Sequence, residues 1–551
     1  MNNSNLGNAA FDRLVDEFLL DRWRFYPTEA TFEGIHDFDC DLEHLDRASI
    51  EQYLQKEERL LSNLDDFKKS GALSDEKTLD LKILECNLKR DIVSEKLFNR
   101  NRRDPSLYIG HAIFGCMAMM LRDFAPREIR HKALISRLKQ IPHLLQQGMD
   151  NMNDAASIPP VWVKIGVSSA QAAQKFFSGI ILNESMRAGY LKHDMLAAAT
   201  LASKAFKNYS GFLEGELLKK SKGDFAAGEE YFDFLLREFH LLPYNADRLE
   251  KMGLEFIEST LDEIKSLAAE ISPHKDWTEV IESIKNETPS KENLLDHYRN
   301  EIAKSRDFIV EHDLVTIPDD ESLKVIETPA SHRNTYPYAA YLMAPPFEKN
   351  QEGIFWVTPV DESAEESRQR EQLAGHSHAA ISVRTLHEGY PGHHLQYCHA
   401  NRVESKVRRI YGTSVFAEGW ALYCEQMMNE QGYYDDKQTR LMQLKDQLWR
   451  ACRIVIDVRL HTKRCTYEEA VDMLVRIARI ERSNAESEVN RYTQSPTQPM
   501  SYLIGKLEII RLLQDYRRKN PALELKKIHD TLLSYGTVPP ALVRNSMLGT
   551  N

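Results

Sequence analysis

The sequence predicts a mainly α-helical protein with a small β element set just ahead of its most chemically marked segment. Three observations point there. Apolar residues recur at helical spacing along most of the chain, with charged residues between them. The texture changes after about residue 315, where Leu323 to Glu327 and Gly353 to Thr358 are short, β-branched or aromatic, and flanked by prolines. Helical texture then resumes and runs to about residue 531.

In chain order, Phe11, Leu14, Val15, Phe18 and Phe25 repeat on one helical face that stops near Pro27. Segments 45–70, 76–100, 127–150, 189–218 and 245–271 have the same amphipathic character. Breaks fall at Ser157-Ile158-Pro159-Pro160, at Ser272-Pro273-His274 and at Thr288-Pro289-Ser290. The two strands are followed directly by the histidine-rich segment. An edge strand there reads either as a place to pair with an extended substrate backbone or as a small structural hairpin. The change of texture divides the chain into a helical amino-terminal part, 1–315, and a second part, 316–551, read together as one continuous cleft-containing unit.

Composition narrows the function. The chain has 551 residues, 42% hydrophobic and 28% charged, which is ordinary for a globular protein. A formal charge of −12 argues against a general binder of nucleic acid or anionic membrane. No stretch approaches the length of a membrane-spanning apolar run. Met1-Asn2-Asn3-Ser4-Asn5 has neither a basic start nor an apolar run, so no secretory signal and a cytoplasmic location are expected. Seven cysteines, with no Cys-x-x-Cys, read as reduced thiols.

The chemistry concentrates in His387-Glu388-Gly389-Tyr390-Pro391-Gly392-His393-His394. A carboxylate stands beside one imidazole, with two more imidazoles just downstream. The common two-histidine zinc motif places its histidines four apart on one helical face. Here the residue four after His387 is Pro391, which cannot ligate a metal. On a straight helix His393 would lie about 240° round from His387, and His394 roughly 10 Å along the axis. A bulge or break at Pro391-Gly392 is therefore expected, folding one histidine back toward His387. His393 is the expected ligand because it follows Gly392 directly. His394 is expected in the cleft wall or behind the ligands. The plain alternative is a polar helix end whose histidines cap carbonyls.

A third ligand is needed. Glu418 follows His393 by 25 residues, room for a helix to end and a second to return antiparallel. Glu425 lies seven further on, the same way round a helix. Glu418 is preferred because Gly419 removes a side chain beside it, and Glu425 would then orient a histidine. Cys398 and Cys424 are alternative extra ligands. His376 and His378 form another possible pair, without an adjacent acid.

The pattern His-Glu-x-x-Pro-Gly-His-His-x-Gln, then Glu-Gly-Trp-Ala-x-Tyr-x-Glu, stands at His387–Gln396 and Glu418–Glu425. It resembles the bacterial domain-of-unknown-function family numbered 885. Pro27, Gly34, His36, Asp37 and Asp39 resemble that family's amino-terminal signature. Tyr341 to Pro346 and Gly353 to Val357 resemble its proline-rich segment and strand. Asp457 and His461, then Arg491, Tyr492 and Tyr502 to Gly505, resemble its carboxy-terminal elements. The family is similar to helical zinc metallopeptidases with a glutamate third ligand. The resemblance thus implies a large helical metallopeptidase-like architecture. It also makes Tyr502, His461 and Arg491 candidate donors to an oxyanion. Each has a structural alternative: a core tyrosine, a helix-face histidine and an ion pair. An arginine in the cleft would also suit a substrate carboxylate. The chain departs from the family pattern at Arg459, Arg464 and Cys465 and at Thr497-Gln498-Pro499, where substrate contacts are expected.

The expected function is a hydrolase of peptide or amide bonds holding one zinc ion on His387, His393 and Glu418. Glu388 would take a proton from the metal-activated water and pass it to the leaving amine. The alternatives are a ferrous-iron enzyme on the same two histidines and carboxylate, or an amidase of non-peptide small molecules. A peptide or small amide is the expected partner, with no nucleic acid and no membrane.

Overall fold

Helical periodicity becomes helix at each segment read from the sequence. In the computed structural model, which describes residues 3–329, 333 and 336–549, segment 45–70 is the helix Arg47–Ser70. The Asp46 side chain accepts the Ser49 N–H at its start. Gly71, at φ 59°, ends it in the left-handed region that favours glycine. Segments 76–100, 127–150 and 245–271 are the helices Asp75–Leu97, Arg127–Asn151 and Ala246–Ile271. Segment 189–218 centres on Lys192–Phe212. The prolines read as stops also act as starts. Pro27 and Pro160 each occupy a first helical position, where the missing N–H costs nothing. One further helix, Pro540–Leu548, lies beyond the expected end at 531. Met1 and Asn2 of the amino-terminal reading lie outside the described residues.

The chain packs as two compact units, Met1–Ala227 and Gly228–Asn551. The texture change at 315/316 is where the sheet begins within the second unit. The helices just before it, Ala246–Ile271 and Leu294–Glu311, pack on Lys437–His461 and His378–Glu388 of that same unit.

In the first unit the helices Pro105–Leu121, Arg127–Asn151, Pro160–Ser185 and Lys192–Phe212 bury Leu134, Leu138, Ile141, Phe177 and Phe206. The amino-terminal signature is a polar knot here. Fully buried Arg137 donates to the Gly115 carbonyl (2.6 Å), the Asp41 carbonyl (2.9 Å) and the Thr31 hydroxyl (2.7 Å). Thr31 donates in turn to Asp39 (2.7 Å), which also pairs with His36 (3.0 Å). These bonds satisfy a charge that burial would otherwise penalise.

The second unit is built on the pair Ala246–Ile271 and Lys437–His461. A Cβ on Gly253 would meet Val455 at 2.7 Å, so glycine lets these two helices approach closely. The sheet has three strands, β1 (Ser322–Glu327), β2 (Ala339–Leu342) and β3 (Glu352–Val357), in the order β1-β3-β2. β1 runs parallel to β3 and β2 antiparallel. β1 and β3 match the two segments read as strands. β2 is short and begins with two alanines, which have little strand preference; pairing with β3 defines it. Among the described residues no helix is long and apolar enough to cross a membrane.

Candidate metal centre

The helix His378–Glu388 starts at Ser377, whose side chain caps the Ala380 N–H, and stops one residue after His387. The expected break follows. The Gly392 N–H donates back to the Leu386 carbonyl (3.0 Å). A Cβ on Gly392 would lie 1.9 Å from the His387 carbonyl oxygen, so no other residue fits. A new helix, His393–Ala400, begins at once. The Pro391 carbonyl is held by Trp420 Nε1 (2.9 Å) and approached by the Cys424 thiol (3.7 Å), both on the helix Ser414–Glu430. Cys424 is thus occupied with the backbone of the break.

Ser414–Glu430 also carries Glu418. It crosses Ser501–Lys519 at two glycines: a Cβ on Gly419 would lie 2.4 Å from the Gly505 carbonyl carbon. Gly419 thus sets the helix crossing that brings Glu418 and Tyr502 to the same place. The Asp-x-x-x-His element serves this end. Buried Asp457 accepts the Thr497 N–H (3.2 Å) and the Met500 N–H (3.1 Å), fixing the turn that opens the Tyr502 helix. Burial pushes the Asp457 carboxyl up to about 8.

Three side chains converge. Nε2 of His387 lies 3.5 Å, and Nε2 of His393 3.3 Å, from Oε2 of Glu418. All three donor atoms fall within 4.8 Å of one another. Tetrahedral zinc bonded at about 2.0–2.2 Å would separate its donor atoms by roughly 3.3–3.6 Å, so the spacing fits one ion. The charge fits as well. Burial disfavours a charged imidazole at His387, but hydrogen bonding to Glu418 and Glu425 outweighs it and pushes the group up to about 10. Burial opposes ionisation of Glu418 too, yet the two histidines hold its carboxyl well below the usual range. The pocket favours positive charge. Glu425 accepts from His387 Nδ1 at 2.8 Å, orienting the ring so that Nε2 turns toward Glu418. The His393 Nδ1 is buried with no hydrogen-bond partner among the described residues.

His394 points elsewhere. Its Nε2 bonds Glu321 (2.7 Å) and its Nδ1 lies 3.2 Å from the Tyr341 hydroxyl. Glu321, His394 and Cys398 form a second cluster of possible ligands. Its 2.7 Å contact is a hydrogen-bond length, shorter than the separation an ion would impose, and burial pushes the Cys398 thiol up to about 12. The cluster is a hydrogen-bonded network joined by the Tyr390 hydroxyl (2.6 Å). Nothing in the sequence marked Glu321, which lies 73 residues before His394.

Glu388 is half-buried and makes no hydrogen bond or ion pair among the described residues. Burial, and then Glu388 itself, raises the Tyr336 phenol nearby. Tyr502 stacks on His387, with centroids 6.4 Å apart and planes 17° apart. Arg491 bonds Gln498 (2.6 Å) and Glu488 (2.9 Å). His461 is not brought to the cluster's hydrogen bonds: fully buried, it donates through Nε2 to the Tyr492 carbonyl (3.0 Å). His376 and His378 do not pair with each other; they bond Tyr298 and His297, each at 3.0 Å. Arg459 and Arg464 both pair with Glu250 (2.7 and 2.9 Å), in one ion network. Sequence reasoning missed Arg450 and Arg453, which cover the Tyr502 ring at 5.9 and 4.6 Å. Their spacing of three on one helix was the available signal.

The fold and this cluster define a class: a mainly helical protein with a candidate two-histidine, one-glutamate metal centre. The chain belongs to the family described as bacterial protein of unknown function, DUF885, whose model matches residues 27–547. Two solved structures share the fold. One, from Shewanella oneidensis, is described as a candidate lipoprotein of unknown function; it is 24% identical with a TM-score of 0.81, covering 98% of this chain and 99% of that one. The other, a candidate lipoprotein from Colwellia psychrerythraea, is 18% identical with a TM-score of 0.84 and the same coverage. No curated protein matches the chain.

Proposed function

We propose that the protein is a metal-dependent hydrolase of peptide or amide bonds, with one zinc ion on His387, His393 and Glu418. One observation carries the reading: three zinc-type donors converge where a fourth group, the half-buried Glu388 carboxylate, acts on His387 through its charge and makes no hydrogen bond or ion pair among the described residues. When bound, the ion would polarise the scissile carbonyl and acidify a water molecule. Glu388 is adjacent to His387 but about 100° round the helix, so it faces the site without sharing the ligand direction. Its carboxylate takes the proton of the attacking water and delivers it to the leaving amine. The Tyr502 phenol, raised by burial and then by Glu418, stays protonated and donates to the oxyanion. His461 acts at one remove, holding the Tyr492 carbonyl and so the helix that carries Arg491.

The same donor set suits ferrous iron; an unengaged carboxylate beside the first histidine favours hydrolysis. The test is a peptide-library digest read by mass, with zinc-loaded, chelated and zinc-restored protein. Cleavage that follows zinc supports the reading. A stoichiometric metal with no cleavage of peptides or small amides removes it. For location, seven free thiols favour a reducing compartment, whereas the two solved relatives are described as candidate lipoproteins. Cell fractionation separates the two.

A further inference from the structure

The basic groups behind Tyr502 are not absorbed by the hydrolytic reading. Glu488 Oε2 accepts from three donors: Arg453 Nη2 (2.9 Å), Arg491 Nη2 (2.9 Å) and the Tyr492 hydroxyl (2.7 Å). One carboxylate thus serves two guanidiniums. Burial opposes ionisation of Glu488, but the two arginines outweigh it and hold its acid at about 2, leaving the trio with one net positive charge at neutral pH. A structural ion pair would need only one arginine.

The excess is placed beside the metal centre. Arg453 lies over one side of the Tyr502 ring at 4.6 Å, and the same ring stacks on His387. A single tyrosine therefore separates the guanidinium from a metal ligand. Arg453 Nη1 is buried with no partner among the described residues, a costly state for a charged donor. Arg491 has its side chain 40% exposed and is steadied by Gln498 at 2.6 Å. Trp449, Tyr492 and Tyr502 surround the buried Arg453 guanidinium, so water screens its charge weakly, while Arg491 lies over Tyr492 at the exposed end of the pair. Arg450, the third arginine near Tyr502, is by contrast paired with an acid of its own, Asp446 (3.5 Å).

Resting on the hydrolase reading, we propose that Arg491 and Arg453, bridged by Glu488, form a subsite for a free carboxylate. The substrates are then peptides or N-acyl amino acids with an unblocked carboxyl terminus. A guanidinium fork matches a carboxylate in shape as well as charge. At roughly 3.3–3.6 Å per extended residue, a carboxylate held beyond Tyr502 lies about one to three residues from the bond cut. Arg491 is a specificity residue, and Gln498 and Glu488 position it.

The experiment uses two hexapeptide libraries identical except that one ends in a free acid and the other in a carboxamide. Wild-type, R491A and R491K proteins are compared, each checked for zinc content and circular dichroism. The expected result is at least tenfold faster cleavage of the acid library, within three residues of its end. R491A should raise KM more than it lowers kcat and bring the acid rate down to the amide rate, and R491K should fall between. Equal rates for the two libraries in wild type, or an undiminished acid preference in R491A, overturn the subsite and leave the hydrolase standing. No cleavage of either library overturns both.

Discussion

Two carboxylates flank His387 and do different work. Glu425 is fully buried and bonds Nδ1 at 2.8 Å, so it fixes the ring. Glu388 is half-buried and bonds nothing among the described residues, so it remains available to a proton. Glu425→Gln should keep the fold and lower zinc affinity by about 10–100-fold, as removal of a ligand-orienting partner does; a competitive chelator titration reads this. Glu388→Gln should keep zinc and lose turnover by about 10²–10⁴-fold, the usual contribution of a positioned acid–base group. Near-normal turnover by that zinc-loaded protein contradicts the role. The paired histidines separate in the same way. His393→Ala should abolish stoichiometric zinc. His394→Ala should retain it, while losing stability because Glu321 gives up its imidazole partner and keeps only Tyr390 and Arg306.

At the scale of elements, two glycine contacts decide whether the ligands meet. Gly392 lets the chain turn so tightly that His393 returns to His387. Gly419 and Gly505 let two helices touch backbone to backbone, and those helices carry Glu418 and Tyr502. Gly505→Ala would place a Cβ 1.9 Å from the Val415 carbonyl oxygen. It should cost about 1–3 kcal/mol by overpacking and weaken zinc binding as well, because the crossing must open. Thermal unfolding and the chelator titration measure the two effects. An unchanged melting temperature with native zinc affinity contradicts the role given to the crossing. The first of these contacts was legible in the sequence, since Pro391-Gly392 interrupts a helix between histidines that no straight helix could bring together. The second was half legible. Gly419 reads as a gap beside Glu418, but its partner lies 86 residues on, and long-range contact leaves no local periodicity.

For the whole molecule, local pattern predicted the helices well, because caps and prolines mark their ends wherever they pack. It pointed to His387, His393 and Glu418 as one cluster, which the fold does bring within 4.8 Å, because their spacing and residue types are local. The surroundings were hidden for the opposite reason. Glu321, Arg453 and Glu488 reach the site from three separate elements, and His461 has a ligand-type side chain that packing turned to a carbonyl. The division into units followed helix packing and not texture. Since all three ligands lie in Gly228–Asn551, zinc should stabilise that unit by RT ln(1 + [L]/Kd), about 4 kcal/mol at a thousandfold excess over Kd. Hydrogen exchange should then show slowed exchange in peptides from 378–430 on adding zinc, with peptides from 105–212 unchanged. Equal protection of both would mean the ion binds elsewhere or nonspecifically.

One metal ion is expected between His387, His393 and Glu418. Crystals of zinc-loaded protein measured on both sides of the zinc absorption edge would locate it. The account predicts a single strong anomalous peak bonded by Nε2 of His387, Nε2 of His393 and a Glu418 oxygen, at about 2.0–2.2 Å. A peak at Glu321, His394 and Cys398 instead, or none at the first cluster, would contradict it.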